Sequence, residues 1–262
     1  MSAVILQNEI VHYEVLGRGR PIIFLHGWVG SWRYWIPAMQ AASISFRTYA
    51  LDLWGFGDSA KNPYYYAIEN QTELLDQFLQ EMGIGKIALV GHGLGAVIAL
   101  LYTAKYPRFV DRLMTVCLPN DQSSINPRLT STSPLELAGW LLDRSTSIDS
   151  VFVEAPKADQ KAIQSSITGL QQVNLEELAL NLSKPCLMVY GQGDPAVTMP
   201  PVEKSIFLPE HIHQIIFEQS GHFPMLDETS KFNRLLADFL SLSSGDSPRQ
   251  LQLKEEWKRR VR

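Results

Sequence analysis

Residues 86–105 read KIALVGHGLGAVIALLYTAK, and the five-residue centre, Gly91-His92-Gly93-Leu94-Gly95, decides the fold. KIALV is a short continuous apolar run of the kind that makes a fully buried strand, and LGAVIALLYTAK is an apolar helix stopped before Pro107. A strand that turns into a helix over five residues with glycine at both ends has what a nucleophile elbow needs. Its central residue is forced into a strained conformation, and its neighbours carry no side chain, so that strand and helix can pack closely. The sequence around such a tip is ordinarily G-x-S-x-G. Here position 93 is glycine.

Outward from the elbow, strand-like and helix-like stretches alternate. Residues 10–16 (IVHYEVL), 21–25 (PIIFL) and 46–51 (FRTYAL) are β-rich runs, the first two separated by turn glycines 17 and 19. Residues 66–82 place Ile68, Leu74, Leu75, Phe78, Leu79 and Met82 on a helical stripe. DRLMTVCLP, KPCLMVYG and HQIIFEQSG are further strands, and 229–242 closes the chain as an amphipathic helix. Such alternation predicts a mostly parallel sheet covered on both faces. Residues 119–183 break the rhythm with Ser, Thr, Pro and Asn and with amphipathic pieces near 134–144, 155–170 and 174–182. An inserted helical cap above the strand C-termini, over the ligand site, fits that stretch.

Composition bounds the rest. The chain has 262 residues, 45% hydrophobic and 19% charged, long enough for one domain with a well-buried core. A net charge of −4 selects no nucleic acid or other bulk partner. Cys117 and Cys186 lie in apolar runs and read as core strand residues rather than a disulfide. No leader-like start and no 18-residue apolar run occur, so a cytoplasmic protein without a transmembrane segment is the expectation. Nor is there an H-x-x-x-H pattern, a Cys/His cluster or a phosphate loop, so neither a metal nor an organic cofactor is expected.

Four further motifs stand in a fixed order around the elbow. His26-Gly27-Trp28 follows the strand PIIFL, and Asp52-Leu53-Trp54-Gly55-Phe56-Gly57-Asp58-Ser59 follows FRTYAL. Gly191-Gln192-Gly193-Asp194 follows PCLMVY, and Ser220-Gly221-His222-Phe223-Pro224 follows the last strand. On these motifs the chain resembles the α/β-hydrolase superfamily, in particular its small esterase- and lipase-like members, over residues 4–242. The resemblance implies an eight-stranded, mostly parallel sheet with helices on both faces. It divides the chain into a core at 1–118 and 184–242, a helical cap at 119–183, and a linker with a basic tail at 243–262.

The resemblance also implies a site. Gly93 stands at the nucleophile position, Asp194 is the acid and His222 the base, in the family's chain order. Asp194 would accept the Nδ1 proton of His222 and leave Nε2 as the base. The N–H groups of Trp28 and Leu94 would form the oxyanion hole. His26, Gly27 and His92 are placed at the pocket, His26 shaping its loop and His92 directed away from the pocket's centre. Blander readings stand beside these. Asp194 fits as a turn residue in G-Q-G-D-P, and His222 as a structural histidine at a strand end. Asp121 is a second position for the acid, ranked below Asp194. His12, His211 and His213 read as surface or strand-edge residues, and Asp52 and Asp58 as turn-holding ones. Trp28, Trp32, Trp35 and Trp140 could line an apolar pocket, although core packing is the commoner role.

Ser59 and Ser220 belong to other turns and do not replace the missing serine. Gly93 therefore leaves three readings open. The chain is a degenerate member that binds a small apolar, ester-like ligand or a partner, with a cavity where the side chain is missing. Or it is an enzyme using the His222–Asp194 dyad without a protein nucleophile, by water-mediated or lyase-type chemistry. Or it is a serine hydrolase carrying an engineered serine-to-glycine change. At the C-terminus, residues 249–262 carry six basic against two acidic residues, with Leu253, Trp257 and Val261 spaced for one helical stripe. That segment reads as a docking element for a protein partner or anionic membrane surface, as a helix packed back on the domain, or as a solvated tail kept soluble by its charge.

Overall fold

The computed structural model describes residues 2–142, 149–201 and 208–253. Its strands are β1 (Ser2–Leu6), β2 (Glu9–Gly17), β3 (Arg20–Leu25), β4 (Phe46–Leu51), β5 (Ile87–His92), β6 (Val110–Val116), β7 (Cys186–Gly191) and β8 (Ile212–Phe217). They form one eight-stranded sheet in the order β1-β2-β4-β3-β5-β6-β7-β8. Neighbours from β4 to β8 pair in parallel, whereas β2 is antiparallel to β4 and β1 to β2. This is the expected α/β-hydrolase architecture.

Helices α1 (Ile36–Ala42), α2 (Ile68–Glu81) and α3 (Leu94–Lys105) alternate with the strands. Between β6 and β7 come α4 (Arg128–Ser131), α5 (Pro134–Leu141), α6 (Asp149–Glu154), α7 (Gln160–Thr168) and α8 (Leu175–Leu180). After β8 come α9 (Pro224–Asp227) and α10 (Thr229–Ser241). β5 and β7 are buried at all six positions, which requires cover on both faces. In α10 the buried residues Phe232, Leu235, Leu236, Phe239 and Leu240 recur at the helical period, and this stripe packs on α1.

Several expectations need adjustment. β1 carried no sequence signal: it is a half-exposed edge strand, joined to β2 by Gln7 and Asn8 at φ 50° and 63°. The stretch 155–170 is not one helix. A single 3-10 turn, Ala155–Lys157, carries Pro156 and comes first, and the Asp159 side chain then accepts the Lys161 N–H to start α7. Cys186 is a core strand residue, but Cys117 lies one residue beyond β6 at φ 51°. His12 is buried, not at the surface. The connector after residue 242 does not simply leave the domain. Pro248 and Leu251 are buried, and the Leu251 carbonyl lies 3.1 Å from His213 Nε2 on β8. Trp257 and Val261 of the proposed stripe, and part of the 119–183 segment, lie outside the described residues. Among the described residues no helix is long and apolar enough to cross a membrane.

Candidate active site

The elbow's three glycines answer to different constraints. A Cβ on Gly91 would collide with the Gly95 carbonyl, and one on Gly95 with the carbonyl of Leu25, so close packing of α3 on the sheet excludes side chains there. Gly93 is different. It holds φ 50°, ψ −111° at the tip, and its N–H donates to the Val116 carbonyl at 2.9 Å. Its missing Cβ does not leave the expected cavity. A Cβ there would meet Cε3 and Cζ3 of the Trp28 indole at 3.1 and 3.2 Å. Trp28 is fully buried, and its Nε1–H donates to Ser166 Oγ of α7 at 3.1 Å, so the ring spans from elbow to insertion.

Asp194 and His222 are brought together from the ends of β7 and β8. His222 Nδ1 lies 2.8 Å from Asp194 Oδ2, with both side chains almost wholly buried. Asp194 Oδ1 accepts the N–H groups of Ala196 at 2.7 Å and Val197 at 3.2 Å, as an aspartate does in its own turn. Burial alone would raise the Asp194 carboxyl. The charge and hydrogen bond of His222, the Ala196 N–H and the Cys117 thiol outweigh it and hold the group below its ordinary value. The base loop is pinned from α9: Gly221 N–H donates to Asp227 Oδ2 at 2.9 Å, and Ser220 Oγ to Glu228 Oε2 at 2.8 Å.

Trp28 and Leu94 stand on either side of the elbow, and among the described residues neither backbone N–H has a hydrogen-bond acceptor. Leu94 opens α3, where the first N–H groups have no intrahelical partner and the helix dipole favours negative charge. His26 is held within its loop: its Nδ1 lies 2.8 Å from the Gly27 carbonyl, and its Nε2 accepts the Leu53 N–H at 3.0 Å.

The buried His92 ring lies beside that of His222, tilted by 54° with centroids 4.5 Å apart, and its Nε2 lies 2.8 Å from the His222 carbonyl oxygen. Burial, then the neighbouring His222, lowers its pKa well below the ordinary value, so the ring is neutral. Gly27 packs directly on this ring, since a Cβ there would lie 2.8 Å from His92 Nδ1.

Other candidates fall away from the elbow. Asp121 is exposed and caps a turn through the Ser124 N–H. Ser59 Oγ donates to the Asp52 carbonyl. Two side chains at the site carried no signal in the sequence. Tyr34, in the turn Trp32–Trp35 capped by Ser31, reaches Gly27 and His92. Cys117 Sγ lies 3.5 Å from the His222 carbonyl oxygen. Burial, then the Asp194 charge, pushes the Cys117 thiol up, which disfavours the thiolate there. A separate apolar cavity of about 270 Å³, lined by Leu118, Leu175, Met188 and Tyr190 among others, touches neither Gly93, Asp194 nor His222.

Comparison with known proteins agrees with this architecture. Residues 20–143 match the family profile described as alpha/beta hydrolase fold. The chain is similar to a pimeloyl-[acyl-carrier protein] methyl ester esterase of Vibrio cholerae, with 22% identity covering 87% of this chain and 97% of the relative. Similarity at 24% identity, covering 87% of each chain, extends to a 2-hydroxy-6-oxo-6-(2'-aminophenyl)hexa-2,4-dienoic acid hydrolase of Metapseudomonas resinovorans. Among solved structures, an esterase from Exiguobacterium antarcticum superimposes with a TM-score of 0.80 at 17% identity, covering 92% of this chain and 99% of the other. A serine-to-glycine mutant of an N-acyl homoserine lactonase, complexed with N-hexanoyl homoserine lactone, does so with a TM-score of 0.78 at 20% identity, covering 91% and 96%.

Proposed function

Because this chain belongs to the α/β-hydrolase superfamily, we propose that it keeps the acid, base and anion-binding N–H groups of an ester-type hydrolase but binds its ligand without forming an acyl-enzyme. One observation carries this reading. The buried Asp194–His222 pair, at 2.8 Å, is held beside an elbow whose tip retains the strained φ 50° while presenting only glycine. The oxyanion hole is assigned to Trp28 and Leu94 by backbone, so it is indifferent to the residue at 93. Losing the nucleophile of a serine hydrolase costs roughly 10⁶-fold in turnover, and oxyanion hole and binding alone leave about 10³–10⁴ over water.

The ligand class is a small ester-like molecule with an apolar acyl part. The solved serine-to-glycine lactonase mutant holds a lactone, a cyclic ester, which supports a glycine form of this fold as a ligand binder. A ligand in contact with Gly93 would lie against the Trp28 indole, whose Nε1–H is held by Ser166. For residues 249–262 any docking role rests on the part beyond Leu253, because Pro248 and Leu251 are already packed on the domain.

The test is the chain beside its Gly93→Ser version, exposed to a fluorophosphonate probe and a panel of short and medium aryl esters. Labelling and turnover by the serine form alone is the expected result. Multiple turnovers by the unaltered chain would reject the binding reading and favour a second one. In that second reading His222, with Nδ1 occupied by Asp194, uses Nε2 to activate a water or abstract a substrate proton. Activity surviving His222→Ala would in turn reject the dyad.

A further inference from the structure

One buried phenol joins the oxyanion loop, the elbow and the base. Tyr34 is 1% exposed, and its hydroxyl lies 2.5 Å from the Gly27 nitrogen and 2.9 Å from His92 Nδ1. Beyond it, His92 Nε2 lies 2.8 Å from the carbonyl oxygen of His222. Donors and acceptors can be assigned in only one direction. A carbonyl oxygen accepts, so Nε2 carries the single proton of the neutral His92 ring and Nδ1 is bare. The Tyr34 O–H then donates to Nδ1, and its oxygen accepts the Gly27 N–H. Every member is buried, where a hydrogen-bonded chain is strong and a broken one leaves an unpaired polar group. Cys117 Sγ, at the end of β6, lies 3.5 Å from the same His222 carbonyl oxygen.

We infer that Tyr34 is a positioning residue that sets the base and the oxyanion loop against one another through a single hydrogen-bonded chain. Through His92 it fixes the backbone of His222. Through Gly27 it fixes the peptide unit next to the Trp28 N–H. The absence of a Cβ at Gly27 belongs to the same arrangement, because the loop must lie directly on the His92 ring. This role rests on the functional reading above for its purpose, but not for its geometry. Mere packing is the competing account, since the Tyr34 ring also meets His92 and Phe223 edge-on at 5.6 and 5.7 Å.

Tyr34→Phe separates the two, since it deletes the hydroxyl and keeps the ring. In the full chain with ¹⁵N-labelled histidine, the unaltered protein should show His92 protonated at Nε2 with Nδ1 as acceptor. In Tyr34→Phe the Nδ1 resonance should move towards an unbonded nitrogen, and the His222 ring ¹⁵N resonances should shift with it. In the Gly93→Ser background the same change should lower kcat about 10-fold or more with KM little altered, as removal of an outer hydrogen-bond partner does. Unmoved His222 resonances, with only a lower Tm, would reduce Tyr34 to a packing residue and overturn the inference. So would a proton on His92 Nδ1 in the unaltered protein, a result available even if Tyr34→Phe fails to fold. If the serine form is inert while the His92 and His222 signals respond as stated, the hydrolase reading fails and the chain stands.

Discussion

Two buried histidine–aspartate pairs of the same geometry occupy different parts of this molecule. His222 Nδ1 meets Asp194 Oδ2 at 2.8 Å, and His12 Nδ1 meets Asp52 Oδ2 at 2.8 Å. What surrounds each pair separates them. Asp52 also accepts the Trp32 N–H at 2.8 Å and the Asp58 N–H at 3.0 Å, so one carboxylate ties β2, the turn after β3 and the turn after β4 together. His12 turns its other nitrogen towards Glu14 Oε1 at 3.4 Å. His222 instead lies against the elbow, its ring across that of His92. The two pairs thus share a contact but not a setting: one is built into a network of turns, and the other lies at the elbow, where we propose that it acts as a dyad.

The sharpest way to break this comparison is kinetic. In the Gly93→Ser background, Asp194→Asn should lower turnover by about 10⁴-fold, the effect of misorienting a triad histidine. His12→Gln should leave it within a few-fold, measured where both variants are folded. Equal losses would erase the distinction. The next effect is on stability. Asp52→Ala strands a buried imidazole and two N–H groups and should cost about 3–5 kcal/mol in denaturant unfolding. At this size that is a Tm drop on the order of 10 °C. Asp194→Ala strands a matching set, the buried His222 imidazole and the N–H groups of Ala196 and Val197, and should cost a similar amount; a much smaller loss would show that the turn holds without its carboxylate.

The smallest effect is in pH. Burial alone would lower His12, but the hydrogen bond and charge of Asp52, with Asp58 and Glu14, outweigh it and raise its pKa. A raised folded value means the stabilisation is complete below the unfolded value of about 6.5 and is lost as pH rises through the folded one. The stability gap between the unaltered chain and His12→Gln should therefore narrow from pH 6 upwards. His92 and His26 act in the opposite sense: burial lowers both, so their contribution is present above about 6.5 and lost as pH falls. A gap that stays flat with pH would mean that His12 does not hold its proton in the fold.

Much of the sheet was legible because its signals are local. Apolar runs such as KIALV and PCLMVY state their burial within six residues, and the α10 stripe states its face within thirteen. The flanking glycines of the elbow were legible for the reason later seen, a side chain having no room between strand and helix. The misread residues owe their environment to distant chain. His12 is buried because a turn 40 positions later folds over it. Tyr34 and Cys117 find partners 58 and 105 positions away, and no pattern around them marks either one. The cavity expected at Gly93 is absent because the Trp28 ring, anchored 138 positions away at Ser166, fills it.

The amino-acid sequence by itself determined a strand-to-helix elbow with glycine at its tip in a mostly parallel sheet, since periodicity, turn glycines and the identity of residue 93 are properties of adjacent residues. Only the tertiary structure decided which histidines are buried and paired, and what occupies the space over Gly93. Those properties depend on burial and on the direction of hydrogen bonds, and both are set by segments that meet only when the chain is folded.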